Sequence, residues 1–443
     1  MRFGFVKYLA VLLALLNFIS AASAYTAQFA DEGKTIRLRW KTGVIPVALS
    51  TSLTKQSPGL KPDSDVSGAV RRSLENWEKI ANVKFELSIV DKQSISPAER
   101  AGDGVSLITI AQTPENLLLF GGDTGEVSAR TQTFYNGKGV ITEADIVLNP
   151  YQQFSTDGSI GTFDLEATLT HEIGHLLGLE HSLISGATMF EHQGKNGAYG
   201  LPNFAARTLA EDDISGIRAL YGAKNNSADC CGAIAGKILP ANGRTTKDIQ
   251  IWIEEAESGR VAAGVLTNTD GSFRLEGLTA GKYFIYGQRY GEKKELSAAQ
   301  PLGEAEVIKD RTVNFSRKFK FAAKTFAVSH VGFNGQLSEL AVPVNGGKTF
   351  LIYVGGKNLD IEKLKVGFNS PNLSVVPGSA AKQDYGAEIS VISFEVKVAS
   401  RTPPGEYSFF LRGKNDETAY VIGSLTIDGF VNPWSGFVFS ATE

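Results

Sequence analysis

Three of the five histidines in this 443-residue chain lie within eleven residues, between His171 and His181. On a helix, His171 and His175 are one turn apart, so both imidazoles leave the same face and can bind one ion. Gly178 accepts the left-handed backbone that ends a helix, after which His181 can turn back as a third nitrogen ligand. Three neutral imidazoles with one open position are typical of a catalytic zinc site. Glu172 lies beside this face, where its carboxylate can take a proton from water and pass it to a leaving amine.

Two other interpretations of these residues are a histidine cluster on a surface helix and a metal site without catalysis. A bare H-E-x-x-H occurs by chance in about 1% of chains of this length. The glycine and the third histidine at fixed offsets lower that chance by a further factor of roughly a hundred. The spacing therefore favours a hydrolase that uses zinc.

The residues before the motif have the pattern of an α/β domain that would carry it. Alternating and short apolar runs predict strands at 44–49, 83–89, 105–110 and 144–148, and an apolar face predicts a helix within 66–81. In the second of these strands, Val83, Phe85, Leu87 and Ile89 alternate, which predicts one buried face. The mixed, polar stretch from Glu126 to Tyr135 predicts an edge strand. Such an edge either binds an extended peptide through main-chain hydrogen bonds or is covered by loops.

Two further features follow the motif. Met189 is the only methionine after the initiating residue, and a lone methionine most often fills a core. Thr208 to Glu211 has the pattern of a capping box, which predicts a helix that runs to Tyr221 and ends at Gly222.

Together these residues resemble the metzincin metalloproteases, in which an extended zinc motif is followed by a methionine turn. Within that clan, Ser182 after the third histidine and the helix over 209–222 resemble the matrixins, here of a bacterial type. The resemblance covers residues 40–222, and the predicted metalloprotease domain spans 25–222. It implies a catalytic domain with a twisted five-stranded sheet, the metal ligands His171, His175 and His181, the general base Glu172, and Met189 as the floor beneath the metal.

The resemblance also implies roles for the surrounding segments. The edge strand near 126–135 would align substrate, and the loop between Met189 and Thr208 would shape the pocket after the scissile bond. An aspartate of the closing helix would brace the methionine turn, and either Asp212 or Asp213 fits. The stretch from Gly121 to Glu126 is either a turn or a structural calcium site.

The sequence departs from the animal matrixins in two ways. No histidine precedes His171, so their additional structural zinc site is expected to be absent. No cysteine precedes the motif, and residues 25–39 are too few for an inhibitory domain, so we expect an enzyme without cysteine-switch latency.

Composition and the amino terminus bear on location. The net charge of −3 with mixed signs does not indicate a nucleic-acid partner or an acidic membrane surface. Arg2 and Lys7, an apolar run and Ala22-Ser23-Ala24 predict a signal peptide over 1–24, and no later stretch predicts a transmembrane helix. We therefore expect a secreted, extracellular or periplasmic protein.

The two cysteines are neighbours, Cys230 and Cys231. They are either free thiols or a vicinal disulfide at a domain boundary. An exported protein without a disulfide framework indicates a bacterial source more than an animal one.

The carboxyl-terminal half predicts two all-β units after a linker over 223–231. Residues 232–318 resemble the carboxypeptidase-regulatory-like sandwich through Asp270-Gly271-Ser272-Phe273 and Gly277 to Tyr283. Residues 322–430 are similar to an immunoglobulin-like sandwich, and 431–443 form a tail. The predicted fold class is multidomain, an α+β catalytic domain followed by two sandwiches.

The sequence thus predicts a secreted zinc endopeptidase that acts on proteins or peptides, with sandwiches that bind a surface or matrix polymer. The alternative is a surface-binding or adhesion protein with an inactive metzincin unit. Cleavage preference, oligomeric state and the means of restraining activity stay open.

Overall fold

The structure is a computed structural model that describes residues 27–427, apart from 32, 42, 56, 98–100, 122–124, 126, 202–206, 225–228, 242–244, 290–297 and 415–416. The predicted signal peptide over 1–24 and the predicted tail over 431–443 lie outside the described residues. So do most of the candidate calcium stretch from Gly121 to Glu126 and the middle of the predicted linker.

The first part of the chain builds a main mixed sheet with helices packed on it, and its last two strands pair as a separate two-stranded sheet. Its strands are Arg39–Trp40 (β1), Val44–Ser50 (β2), Lys84–Val90 (β3), Leu107–Thr109 (β4), Ala129–Tyr135 (β5), Val140–Leu148 (β6), Phe154–Ser155 (β7) and Phe163–Asp164 (β8). Its helices are Thr51–Thr54 (α1), Val66–Glu78 (α2), Pro114–Leu118 (α3), Leu165–Leu176 (α4) and Glu211–Tyr221 (α5), with a 3₁₀ turn at Ala198–Gly200.

Among the described residues, six strands occupy five positions in the main sheet, where five strands were predicted. The order is β5-β6-β4-β2-β3, and β5 is the antiparallel member. The additional strand, β1, pairs with the beginning of β6, while β4 pairs with its end. Since β5 occupies the opposite side of β6 along both stretches, β1 and β4 lie on one side, end to end. The prediction of an edge strand agrees with the structure, in which β6 is the one strand that pairs with β5 among those described.

Helix α4, which carries the first two histidines, is held between the sheet and helix α2. Leu169 and Ile173 on its inner face are fully buried in the same core as Ile146 of β6. Trp77 of α2 is also fully buried, and its indole N–H donates to the carbonyl of Thr170 at 3.0 Å. The amphipathic face predicted for α2 is therefore the one that fixes α4.

The second part forms two facing sheets. Its strands are Cys230–Pro240 (β9), Ile249–Glu255 (β10), Val261–Leu266 (β11), Ser272–Thr279 (β12), Gly281–Arg289 (β13), Gln300–Val307 (β14), Thr312–Asn314 (β15) and Arg317–Phe319 (β16). One sheet has the order β11-β10-β13-β14, and in the other β9 lies between β12 and β15, with β16 also paired to β9. Apolar residues of both sheets join one core that is continuous with the core of the first part.

The third part, residues 327–427, is called here the carboxyl-terminal sandwich. Its strands are Ala327–Phe333 (β17), Gln336–Ser338 (β18), Val342–Val344 (β19), Thr349–Lys357 (β20), Lys365–Phe368 (β21), Leu373–Val375 (β22), Ala381–Gln383 (β23), Ser390–Val398 (β24), Gly405–Arg412 (β25) and Thr418–Ile427 (β26). One sheet has the order β18-β17-β20-β24-β22, with β23 also paired to β24. The other has the order β19-β26-β25-β21. A separate buried core lies between them.

All three parts meet in one apolar cluster, called here the three-way junction. Trp252 stacks on Tyr286 with ring centroids 5.3 Å apart, and Tyr420 of the carboxyl-terminal sandwich packs against both. Ile184 and Ala187, from the segment between His181 and Met189, enter the same cluster. The segment that follows the third histidine is therefore shaped by strands that come far later in the chain.

Two local predictions differ from the structure. Strand β3 buries Phe85 but leaves Leu87 36% and Ile89 62% exposed, because the core reaches only the start of this edge strand. The closing helix begins at Glu211 rather than at a box opened by Thr208, since the Asp213 carboxylate accepts the Ala210 N–H at 3.0 Å and caps it there.

The two cysteines lie in a strand. Strand β9 begins at Cys230, within the stretch predicted to be linker. Cys230 and Cys231 form a disulfide across a cis peptide bond, which is the vicinal alternative among the two that the sequence left open.

Among the described residues, no helix has the length and apolar character needed to traverse a bilayer.

Candidate metal centre

The two ends of helix α4 fix the positions of the histidines. Its first turn is capped by Asp164, whose buried carboxylate accepts the Ala167 N–H at 2.9 Å and pairs with Arg207 at 2.6 Å. The helix ends at Leu176, and Gly178 follows with φ +96°, the left-handed conformation predicted from the sequence. The chain then reverses and brings His181 back to the helix.

The three histidines meet as the spacing predicts. One ring nitrogen from each of His171, His175 and His181 lies within 4.8 Å of the other two. His175 Nε2 and His181 Nε2 are 3.2 Å apart. The other ring nitrogen of the two helical histidines faces a carbonyl: His171 Nδ1 lies 2.7 Å from the Thr188 oxygen, and His175 Nδ1 lies 2.9 Å from that of Leu179. Those bonds leave both Nε2 atoms directed to the common centre.

The donor set fits zinc. A tetrahedral zinc ion with nitrogens at about 2.0–2.1 Å keeps neighbouring nitrogens about 3.3 Å apart, close to the separation between His175 and His181. Burial lowers the pKa of all three histidines, and repulsion from its neighbours lowers that of His175 further. The rings are therefore neutral near pH 7, which is the form that binds a metal. The side chain of His181 is 42% exposed.

Glu172 is buried beside the cluster and is held by the edge strand. Only 4% of the residue is exposed. The Thr131 hydroxyl of β5 donates to its Oε2, and the same hydroxyl lies 3.2 Å from the Glu172 carbonyl oxygen. Burial raises the pKa of Glu172 to about 7, while the Thr131 hydrogen bond opposes that rise. A carboxyl group with a pKa near neutrality is suited to both accepting and returning a proton.

Met189 packs against helix α4 at the level of Gly174. It is buried, and its sulfur lies so close to Gly174 that a Cβ on that residue would collide with it. Gly174 lies between the two helical histidines, so glycine is what allows the sulfur to reach the helix at that level. Met189 is therefore packed against the helix between these two histidines, and its role as the floor beneath a metal stays a prediction.

The two aspartates of the closing helix have different partners. Asp213 accepts the N–H groups of Thr188 at 2.8 Å and Met189 at 3.1 Å, so it is the residue that braces the methionine turn. Asp212 instead accepts the Ser182 hydroxyl at 2.6 Å and the N–H of Gly264 at 2.8 Å. Because Ser182 follows His181 and Gly264 lies in β11, Asp212 links the third histidine to the second part of the chain.

Sequence reasoning missed two residues at this site. Thr131 lies in the predicted edge strand, but nothing in the sequence aligned its hydroxyl with Glu172. His192 had no assigned role, and its Nε2 lies 2.7 Å from the Glu339 carboxylate of the carboxyl-terminal sandwich. His192 borders the same cavity as His171, and its position three residues after Met189 was the signal that could have found it.

Comparison with known proteins gives the family of this part of the chain. The model of the matrixin peptidase family matches residues 39–222. Residues 39–222 are a matrixin domain. Over 195 residues the chain is 27% identical to "Metalloendoproteinase 1" of Glycine max, which covers 42% of this chain and 53% of that protein. It is 33% identical over 172 residues to "Matrix metalloproteinase-2" of Drosophila melanogaster, with 38% and 20% covered.

The matrixin relatives are matched over about half of their length or less. For "Interstitial collagenase" of Oryctolagus cuniculus the identity is 26% over 191 residues, covering 42% of this chain and 36% of that protein. A solved structure of a putative membrane-anchored protein from Corynebacterium diphtheriae covers 45% of this chain and 60% of its own, at 11% identity and a TM-score of 0.20. A similarity that weak carries no argument about fold or function.

Proposed function

We propose that the protein is a zinc-dependent endopeptidase in which His171, His175 and His181 hold the metal and Glu172 is the general base. The observation that carries the proposal is the convergence of three neutral imidazoles beside a buried carboxylate whose pKa is near 7. The matrixin domain over 39–222 supports the same assignment.

In the proposed reaction, the bound metal and the side chains of the protein have different roles. Bound zinc would supply Lewis acidity, which makes a water acidic near pH 7 and polarises a carbonyl. Glu172 takes the proton from the attacking water and later gives it to the departing amine, so that proton transfers balance over the cycle. Thr131 keeps the carboxylate oriented, since its hydroxyl already donates to Oε2. Met189 and Asp213 hold the segment from which Thr188 orients His171.

The substrate is proposed to lie along the edge strand. Strand β5 has no strand neighbour on its outer side among the described strands, and its Thr131 reaches Glu172. An extended peptide can add to such an edge through main-chain hydrogen bonds, which places its backbone next to the metal site. Protein or peptide substrates are therefore the proposed class, and binding of a surface polymer by the sandwiches is a further part of the proposal. The proposal also includes export of the protein, directed by residues 1–24.

Substitution of Glu172 tests the assignment. Glu172→Ala removes the base but none of the three nitrogen ligands, so we expect stoichiometric zinc with peptide cleavage reduced by at least about a thousandfold. Zinc content is measured by mass spectrometry, and cleavage with a library of unstructured peptides. His175→Ala is the matched variant, and it should lose both zinc and cleavage.

Two results would contradict the proposal. Cleavage by Glu172→Ala at the wild-type rate would exclude this residue as the base. A wild-type protein that binds zinc but cleaves no peptide would favour the alternative of an inactive domain on a surface-binding protein.

A further inference from the structure

A pocket next to His171 is built by two distant parts of the chain. The cavity measures about 80 Å³, and its wall combines polar side chains, among them His171, His192 and Gln193, with Ala167, Ala187, Phe190, Leu340, Ala341 and Thr426. The last three of these residues belong to the carboxyl-terminal sandwich. A single water needs about 10–15 Å³ by this measure, so the space admits an apolar side chain of several heavy atoms.

The loop that borders this pocket is anchored in the carboxyl-terminal sandwich. Tyr199 is 2% exposed, and its ring belongs to the core of that sandwich. Its hydroxyl donates to the Leu340 carbonyl at 2.8 Å and shares a hydrogen bond with the Ser338 hydroxyl. Asn334 donates from its side chain to the Tyr199 carbonyl at 2.7 Å. The loop and Leu340 are therefore fixed relative to each other, and the pocket has a defined width.

The segment on the other side of the pocket is also fitted to the sandwich. Gly186 has no space for a Cβ, because that atom would lie 2.7 Å from the Gly423 carbonyl and 2.7 Å from the Thr426 methyl group. Ser185 donates its N–H to the carbonyl of Ile422 at 3.3 Å. Ile184 is 1% exposed and lies in the three-way junction. Contacts this close indicate one rigid wall rather than two surfaces that touch loosely.

We propose that the carboxyl-terminal sandwich is part of the substrate-binding site. Leu340, Ala341 and Thr426 contact a side chain next to the scissile bond of an extended peptide, and they set the size of apolar side chain that is accepted. The placement rests on the proposed function, since His171 borders the same cavity and would hold the metal. Residues more than 140 positions beyond the zinc motif thereby act as determinants of cleavage preference.

The test uses two substitutions of opposite effect in the full chain. Ala341→Phe fills the pocket, and Leu340→Ala enlarges it. The probes are fluorogenic peptides that are identical except for Ala, Leu, Phe or Trp at the position immediately before, or immediately after, the cleaved bond. Ala341→Phe should lower kcat/KM for the Leu and Phe peptides by about tenfold or more relative to the Ala peptide. Leu340→Ala should shift the preference towards Phe and Trp.

Controls separate this effect from general damage. Ala381→Phe makes the same change at an exposed alanine of the same sandwich, and its preference should equal that of the wild type. Zinc content and Tm are measured for every variant. Unchanged preference in both pocket variants, with wild-type cleavage intact, would overturn the proposal.

A binding measurement covers the case in which no peptide is cleaved. The Leu peptide is titrated into Glu172→Ala and into Glu172→Ala with Ala341→Phe, and binding is followed by calorimetry. Binding that weakens about tenfold in the double variant supports a shared binding site even if the proposed catalysis fails. Equal affinity, or no binding to either protein, counts against it.

Discussion

Removal of the Asp213 carboxylate should disturb the metal centre from beneath. Its two oxygens accept three backbone N–H groups, from Thr188 at 2.8 Å, Met189 at 3.1 Å and Ala210 at 3.0 Å. Asp213→Ala leaves all three donors without this acceptor in a buried place, and each such group costs about 1–3 kcal/mol. A water that enters the vacated space recovers part of the loss. We therefore expect the free energy of unfolding to fall by roughly 3–5 kcal/mol.

The damage should also reach zinc affinity. The Thr188 carbonyl orients His171, so a displaced methionine turn should weaken zinc binding by about ten- to a hundredfold. Asp213→Asn retains one acceptor oxygen and should lose roughly half as much stability. Urea denaturation gives the unfolding free energy, and competition with a chromophoric chelator gives zinc affinity.

A matched control and a refuting result follow from the same contacts. Asp360→Ala removes an exposed carboxylate that pairs with Lys363 in the carboxyl-terminal sandwich, and it should change stability by less than about 0.5 kcal/mol. If Asp213→Ala binds zinc and unfolds like the wild type, the methionine turn is held by something other than this residue.

Three further expectations concern single side chains. Thr131→Val removes the hydroxyl that lowers the pKa of Glu172, so kcat should fall about tenfold and the acidic limb of the pH–rate profile should move to higher pH; an unmoved limb would exclude this role. Burial raises the pKa of Glu254 from 4.5 to about 7, so its contribution to stability is complete below pH 4.5 and is lost as the pH rises towards 7. Glu254→Gln should therefore flatten the decline in unfolding free energy over that window by on the order of 3 kcal/mol, as measured by denaturation at several pH values. Tyr199→Phe should cost roughly 1–3 kcal/mol and raise hydrogen exchange in residues 190–201, whereas unchanged exchange would argue against the anchor.

The metal centre was readable from the sequence because its geometry is local. His171 and His175 share a helix face at any position in a fold, and Gly178 specifies the reversal that returns His181. The general base was also readable from the sequence, because Glu172 directly follows the first ligand, His171. The aspartate that supports the methionine turn could be narrowed to Asp212 or Asp213. The sequence did not distinguish them, because the choice depends on which carboxylate faces the methionine turn after the helix packs.

The remaining features depend on contacts between distant segments. Thr131 meets Glu172 only when β5 lies along α4, and Glu339 meets His192 across more than 140 residues. The alternation in β3 predicted a strand correctly but overstated its burial, because the period of a strand does not reveal how far a core extends over it. Helix α5 begins later than the Thr208 pattern predicts, since the Asp213 carboxylate accepts the Ala210 N–H and caps the first turn there.

The three-way junction limits how this architecture can be recombined. Ile184 and Ala187 belong to the matrixin domain. The apolar cluster that buries them also contains Trp252, Tyr286 and Tyr420 from the later parts. A chimaera that grafts a different β module after residue 222 would leave these side chains facing solvent or a mismatched surface, and Asp212 would lose the Gly264 N–H. The three parts of the chain therefore constrain one another's sequences. Replacement of one part by an unrelated domain would require simultaneous substitutions on both sides of the three-way junction.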